Sequence, residues 1–183
     1  MISNTPELIS IIVPVYNGER FITRCLSSIY NSKIDVKFEV IVVDDASNDS
    51  TAKLVQHFPC RYFKIEKSGV AAARNFGIKQ AKGEIIFFFD ADVKLKEDTI
   101  IKFLQHFKED KDAYIIQGRW DENSSVATFS SRFFLHKYTY NFLGMFNGKR
   151  RLEVADLGTG CLAMRAEVFN LFNGFDEEYR FSG

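Results

Sequence analysis

The sequence predicts an α/β domain with a mostly parallel central sheet flanked by helices. Three observations predict it. Short β-branched or aromatic runs alternate with segments of helical spacing over the first ~110 residues. The chain has 183 residues, 46% of them apolar, which suits one domain with a sizeable core. Polar clusters close the apolar runs instead of interrupting them.

Residues 8–16 (LISIIVPVY) are a β-branched run and read as a buried strand. Asn17 is expected to cap a helix reaching about residue 30, with Phe21, Ile22, Cys25, Leu26 and Ile29 at helical spacing. Residues 38–45 (FEVIVVDD) are a second buried strand. The cluster ASNDST then caps a helix through His57, and Pro59 ends it. Residues 60–65 (CRYFKI) form a third strand. Ser68 and Gly69 open an alanine-rich helix to about Ala81. Gly83 precedes a fourth strand, 84–89 (EIIFFF). Residues 97–107 (EDTIIKFLQHF) read as a helix and 113–120 (AYIIQGRW) as a strand. No internal repeat or low-complexity linker divides the chain, so 1–183 is expected to be a single domain.

Composition narrows the function. Lys plus Arg and Asp plus Glu each number 24, so no global field favours nucleic acid or an anionic membrane. Cys25, Cys60 and Cys161 are far apart and form no zinc or redox spacing, which points to buried thiols in a reducing cytoplasm. The first residues do not read as a cleavable signal, and no apolar run reaches spanning length.

Right-handed crossovers limit the strand order to 3-2-1-4 in the first half, with a reversal between strands 1 and 4. Ligands bind at such a switch point, beyond the carboxyl ends of the strands. The clusters PVYN, DDASND and DAD all fall there. Asp90 and Asp92, separated by Ala91, are like charges on one rim and repel unless a cation is shared. Two hard oxygen ligands suit Mg²⁺ or Mn²⁺ completed by water and phosphate. A plainer reading makes them solvated turn residues; the convergence of three polar clusters favours the metal. The glycine-rich dinucleotide fingerprint, the P-loop and the G-x-S-x-G elbow are absent.

Four blocks now carry a resemblance: SIIVPVYNGERFITRCLSSI, FEVIVVDDASNDST, GVAAARNFGIKQAKGEIIFFFDAD and GTGCLAMRAEVFNLFNGFDEEY. In this order they resemble the family 2 inverting glycosyltransferases of the Rossmann-like GT-A fold. The resemblance implies a nucleotide-sugar donor, UDP-linked, and a divalent cation, Mn²⁺ or Mg²⁺. It implies transfer with inversion to the hydroxyl of a saccharide or lipid-linked acceptor, in cell-surface polysaccharide synthesis. Residues 1–110 would be the nucleotide-binding half and 111–183 the acceptor-side half. The alternatives are a non-catalytic nucleotide-sugar-binding module and a scaffold domain.

Residue by residue, Pro14, Val15 and Tyr16 match the segment lying against the nucleoside. Asp45 matches the carboxylate accepting from the uracil imide; Asp44 either joins it or caps the next loop. Arg74 matches the arginine of the ARN block, contacting donor or pairing with Asp90 or Asp45. Asp90 and Ala91 match the ribose side, and Asp92 with Asp90 the metal site. Two departures stand out: Lys67 lies where many relatives have asparagine, and Val93 follows the D-x-D where a third acid is common. In the family the catalytic base follows GFDEEY by a few residues. It is therefore expected just after Gly183, in a longer enzyme, with residues 1–183 inactive alone. The aromatic, basic segment 127–151 is expected to be a helix packing on the sheet; a lid, an acceptor-side helix or a peripheral membrane contact are its other readings.

Overall fold

A computed structural model describes residues 6–120, 128–135, 160–172 and 174–178. In chain order the elements are β1 (Leu8–Val15), α1 (Ile22–Tyr30), β2 (Lys37–Asp44), α2 (Thr51–Val55), β3 (Arg61–Lys64), α3 (Val70–Gln80) and β4 (Ile85–Phe89). There follow β5 (Lys94–Leu95), α4 (Thr99–Glu109), β6 (Ile115–Trp120), β7 (Thr128–Leu135), β8 (Cys161–Arg165) and α5 (Glu167–Phe172). One sheet holds all eight strands in the order β3-β2-β1-β4-β8-β6-β7-β5. Its first four strands are parallel and follow the expected 3-2-1-4 order. Beyond β4 the sheet turns mixed, with β8 antiparallel to both β4 and β6.

Alternation along the strands divides the core. Ile9, Ile11 and Val13 of β1 face one cluster with Val40, Val42, Phe87 and Phe89, covered by α1 and α4. Ile12 faces the other cluster with Ile41, Val43, Ile86 and Phe88, covered by Ala73 of α3 and Val168 of α5. Burial on both faces is why these strands read as unbroken apolar runs. Each fully buried Ile or Phe contributes about 1.5–3 kcal/mol of transfer free energy. Helix α3 lies close on β1: a Cβ at Gly77 would come within 2.5 Å of the Ile12 Cγ2.

Three expectations need correction. Asn17 does not cap α1: its φ is 49°, and the helix opens only at Ile22. A turn intervenes, in which Phe21 and Ile22 N–H both donate to the Gly18 carbonyl at 2.9 Å. Helix α2 stops at Val55 instead of His57, since the His57 and Phe58 N–H groups bond back only three residues, tightening the chain into turns. Of the helix expected over 127–151, residues 128–135 form strand β7, and 136–151 lie outside the described residues. The stretch TFSSRFFL is β-branched and aromatic, and it finds β6 on one side and β5 on the other. Among the described residues no helix is long and apolar enough to cross a membrane.

Candidate active site

The site is built on the carboxyl rim of β1, β2 and β4. Two loops there lock each other. Asn17 N–H donates to Ser47 Oγ at 2.8 Å, and Asn48 N–H donates back to Asn17 Oδ1 at 3.0 Å. Glu19 N–H donates to Asp49 Oδ2 at 3.0 Å, while Ser50 N–H donates to Glu19 Oε2 at 3.0 Å. Short polar side chains thus replace ladder bonds where the strands end. That staple is the role Asn17 takes instead of capping.

Of the segment Pro14, Val15 and Tyr16, the first two are buried in β1; the Tyr16 side chain alone emerges, the residue being 49% exposed. Asp45 is only 4% exposed. Its Oδ1 accepts from Ser68 N–H at 2.6 Å and Gly69 N–H at 3.1 Å, and its Oδ2 accepts from Lys67 Nζ at 2.8 Å. Gly69 is the N-cap of α3 and has no side chain to offer. A carboxylate from another loop therefore caps α3 and meets its positive dipole end. The Lys67 ammonium also lies 3.0 Å from the Tyr16 ring centroid.

Asp44 settles into the loop-capping alternative. It is fully buried, its Oδ1 accepting from Ser47 N–H and its Oδ2 from the Tyr62 hydroxyl, both at 2.6 Å. Burial and then the Asp44 carboxylate push the Tyr62 phenol up. Asp44 has no exposed surface among the described residues.

Arg74 takes the ion pair with Asp90, its Nη2 donating to Oδ1 at 2.7 Å. The arginine side chain is 7% exposed and the aspartate 38%. Arg74 Nε is buried without a partner among the described residues. Asp92 is exposed, and its backbone carbonyl is held by Arg24 Nη2 at 3.0 Å. Ala91 faces the β1 loop: a Cβ at Gly18 would sit 3.7 Å from its own. Beneath this turn Cys25 Sγ donates to the Asp90 carbonyl at 3.6 Å. Burial, followed by the charges of Asp92 and Asp90, pushes the Cys25 thiol up to about 12. The thiol is inert here, as a neutral group.

No group of three or more His, Cys, Asp or Glu that could hold a metal occurs among the described residues. Asp90 and Asp92 offer two hard oxygen ligands, one of them shared with Arg74. That donor set fits a cation such as Mg²⁺ or Mn²⁺ that takes most of its shell from water and phosphate. It does not fit a metal caged by protein alone.

Three residues emerged only in the structure: Lys67, Arg24 and Asn75. Lys67 was visible in the sequence only as a departure from the family pattern. Asn75 reaches the 174–178 turn and bonds both the Phe175 backbone and Glu177. The sequence held a faint signal for it, its place directly after Arg74.

Residues 10–172 match the family model described as Glycosyl transferase family 2. Glycosyltransferase GlyG of Streptococcus pneumoniae is 34% identical over 120 residues, covering 62% of this chain and 39% of that protein. Poly(ribitol-phosphate) beta-N-acetylglucosaminyltransferase TarS of Staphylococcus aureus is 35% identical over 98 residues, 50% of this chain and 17% of that one. Among solved structures, S. aureus TarS 1-349 in complex with UDP superposes with a TM-score of 0.68 at 23% identity, over 95% of this chain and 52% of that one. Mannosyltransferase PcManGT from Pyrobaculum calidifontis, in complex with GDP-Man and Mn²⁺, gives a TM-score of 0.65 at 24% identity, over 95% and 48%. The chain thus spans well under half the length of these curated relatives and about half of the solved chains. At that identity the structural likeness speaks for the fold, the GT-A arrangement. The family model covers most of the sequence, and the protein belongs to glycosyl transferase family 2.

Proposed function

We propose that the protein moves a sugar from a UDP-linked donor to an acceptor hydroxyl with inversion, assisted by Mn²⁺ or Mg²⁺. One observation carries this reading: the exposed Tyr16 ring, the Asp45 carboxylate, the Arg74–Asp90 pair and Asp92 all lie along one rim. Relatives named for glucosyl and N-acetylglucosaminyl transfer to poly(ribitol-phosphate) support a polymeric acceptor of that kind, and we take it to be a cell-surface polysaccharide modified in the cytoplasm. A lipid-linked acceptor would bring the protein into peripheral contact with a membrane.

In this reading the Tyr16 ring stacks on the base, with Pro14 and Val15 fixing the strand end beneath it. Asp45 accepts from the imide N–H. Asp90 lies on the ribose side with Ala91, and Asp92 with Asp90 would hold the cation. When bound, the cation neutralises negative charge developing on the departing diphosphate. Arg74 orients Asp90 through their hydrogen bond, and it adds a fixed positive charge close to where the phosphates pass. Inversion needs a single in-line attack, with a base within hydrogen-bond reach of the acceptor hydroxyl. We do not assign that base to Asp176 or Glu177. Asparagine Asn75 already engages Glu177.

The test is transfer by the full-length protein from radiolabelled UDP-sugars to saccharide and lipid-linked acceptors, with the product anomer read by NMR. An inverted linkage is expected. A retained anomer, or no transfer from any UDP-sugar, contradicts the proposal.

A further inference from the structure

We propose that Arg24 is a positioning residue for the metal site: it holds the Asp92 backbone carbonyl from helix α1 and so aims the Asp92 carboxylate at the cation. The inference rests on the metal role given above to Asp92 and adds to it a residue outside the rim.

Helix α1 is bonded to the 90–97 segment at three points, and the turn after it at a fourth. Cys25 Sγ donates to the Asp90 carbonyl at 3.6 Å, and Arg24 Nη2 donates to the Asp92 carbonyl at 3.0 Å. Leu95 N–H donates to Ser28 Oγ at 3.0 Å. Past the helix end, Lys33 N–H donates to the Glu97 carbonyl at 2.7 Å. Arg24, Cys25 and Ser28 are spaced to share one side of a helix. Cys25 and Ser28 are buried, so their contacts belong to the packing of the core. Arg24 is half-buried, at the edge of that side. Its guanidinium carbon lies 5.7 Å from the centroid of the Phe21 ring, one turn earlier. An arginine fork is well matched to carboxylates. Among the described residues Arg24 nevertheless forms no ion pair, and its hydrogen bond goes to the neutral Asp92 carbonyl.

The donor set gives that carbonyl its importance. Two carboxylates are offered to the cation, and Asp90 is already oriented by Arg74. Val93, which is buried, stands where a third acid is common in the family. Among the described residues no hydrogen bond holds the Asp92 carboxylate. Its aim is therefore set by its backbone, and Arg24 grips the backbone carbonyl of the same residue. Removing a partner that orients a metal ligand typically costs about 10–100-fold in metal affinity. The arginine's own positive charge works the other way, because a cation beside the site disfavours a second one. Positioning and plain charge repulsion thus predict opposite signs when Arg24 is neutralised.

The experiment is a Mn²⁺ titration followed by electron paramagnetic resonance, with saturating UDP, for the full-length wild type, Arg24→Met and Arg24→Lys. UDP binding in EDTA is measured alongside by calorimetry. Methionine keeps an unbranched stem and removes the donor; lysine keeps a charged donor. Arg24→Met should bind Mn²⁺ roughly 10-fold more weakly, Arg24→Lys should recover most of the loss, and UDP binding in EDTA should stay at the wild-type value. Unchanged or tighter Mn²⁺ binding by Arg24→Met overturns the role of Arg24 and leaves the proposed function standing. An equal loss of UDP binding in EDTA would make Arg24 a general support of the fold and overturn it too. If Arg24→Met does not fold, Ser28→Ala frees the Leu95 end of the same segment and should also weaken Mn²⁺ binding; no change there overturns the clamp. No Mn²⁺ uptake by the wild type overturns the metal part of the proposed function, and this inference with it.

Discussion

Asn75 grips Phe175 by both ends of its peptide groups across 100 residues of chain: Nδ2 donates to the Phe175 carbonyl at 2.8 Å and Oδ1 accepts its N–H at 2.7 Å. The same Nδ2 donates to Glu177 Oε1 at 2.8 Å. Gly174 makes the approach possible, with φ at 93° and no Cβ to run into the Asn75 side chain. Phe175 then packs edge-on against Phe88 at 5.4 Å. The grip fixes the 174–178 turn beside Arg74, whose guanidinium carbon lies 5.7 Å from the Phe175 ring centroid.

Asn75→Ala should therefore cost about 1–3 kcal/mol, because it leaves the Phe175 backbone groups unsatisfied. Gly174→Ala should also destabilise, through positive φ and through the side-chain collision. Urea denaturation of both variants measures this. A loss below about 0.5 kcal/mol for Asn75→Ala would mean that the turn is held by Phe175 packing alone.

The Arg74–Asp90 pair predicts coupling. Arg74→Met should weaken UDP binding and destabilise by about 1–2 kcal/mol, a moderate figure because Asp90 is partly exposed and solvent can replace part of the contact. Asp90→Asn in the Arg74→Met background should add less than it does alone. A double-mutant cycle by thermal denaturation reads the difference, and strict additivity would contradict the pairing.

Glu39 predicts an acid-linked loss of stability. Its Oε1 accepts from Ser10 Oγ and Lys82 N–H, both at 2.8 Å, and its Oε2 from Arg61 Nη1 at 2.8 Å. Burial pushes its carboxyl up, but these hydrogen bonds and the Arg61 charge outweigh it, and the net shift is downward. A carboxyl lowered in the folded state stabilises above its unfolded value of about 4.3, and that contribution fades as pH falls through the folded value. Glu39→Gln should thus be less stable than wild type at pH 7 by about 1–2 kcal/mol, with the gap closing below about pH 4. Denaturation curves from pH 7 to 3 check it; a gap that stays constant or widens on acidification would contradict the assignment. Asp49 and Asp98 are lowered too, which is why the difference between the two proteins is the quantity to follow.

The parallel half of the sheet was legible because β1, β2 and β4 are buried on both faces, so their apolar runs are unbroken and their ends are marked by polar clusters. The same alternation explains why Asp44 and Asp45 part company. Asp44 is the last residue of β2 and turns inward to Tyr62, whereas Asp45, one residue on, reaches the start of α3. Periodicity over so short a stretch could not assign the two roles. Strands β5, β7 and β8 were not legible. Two-residue β5 is too short to carry a pattern, and β8 inserts between β4 and β6 through pairings distant in sequence. Asn17 looked like a cap because its residue type favours caps and left-handed turns alike. Lys67 needed three-dimensional proximity to Tyr16 and Asp45 before it had any role.

Metal-linked nucleotide binding at Asp92 is tested most directly by the melting temperature of the protein with saturating UDP, in Mn²⁺ and in EDTA, for wild type and Asp92→Asn. Ligand at 100 times its Kd stabilises the folded state by about 2.7 kcal/mol. Wild type should show a UDP-dependent rise of several degrees with Mn²⁺ and much less with EDTA, and Asp92→Asn should lose most of that difference. An equal rise with and without metal in the wild type would contradict the metal role of Asp92.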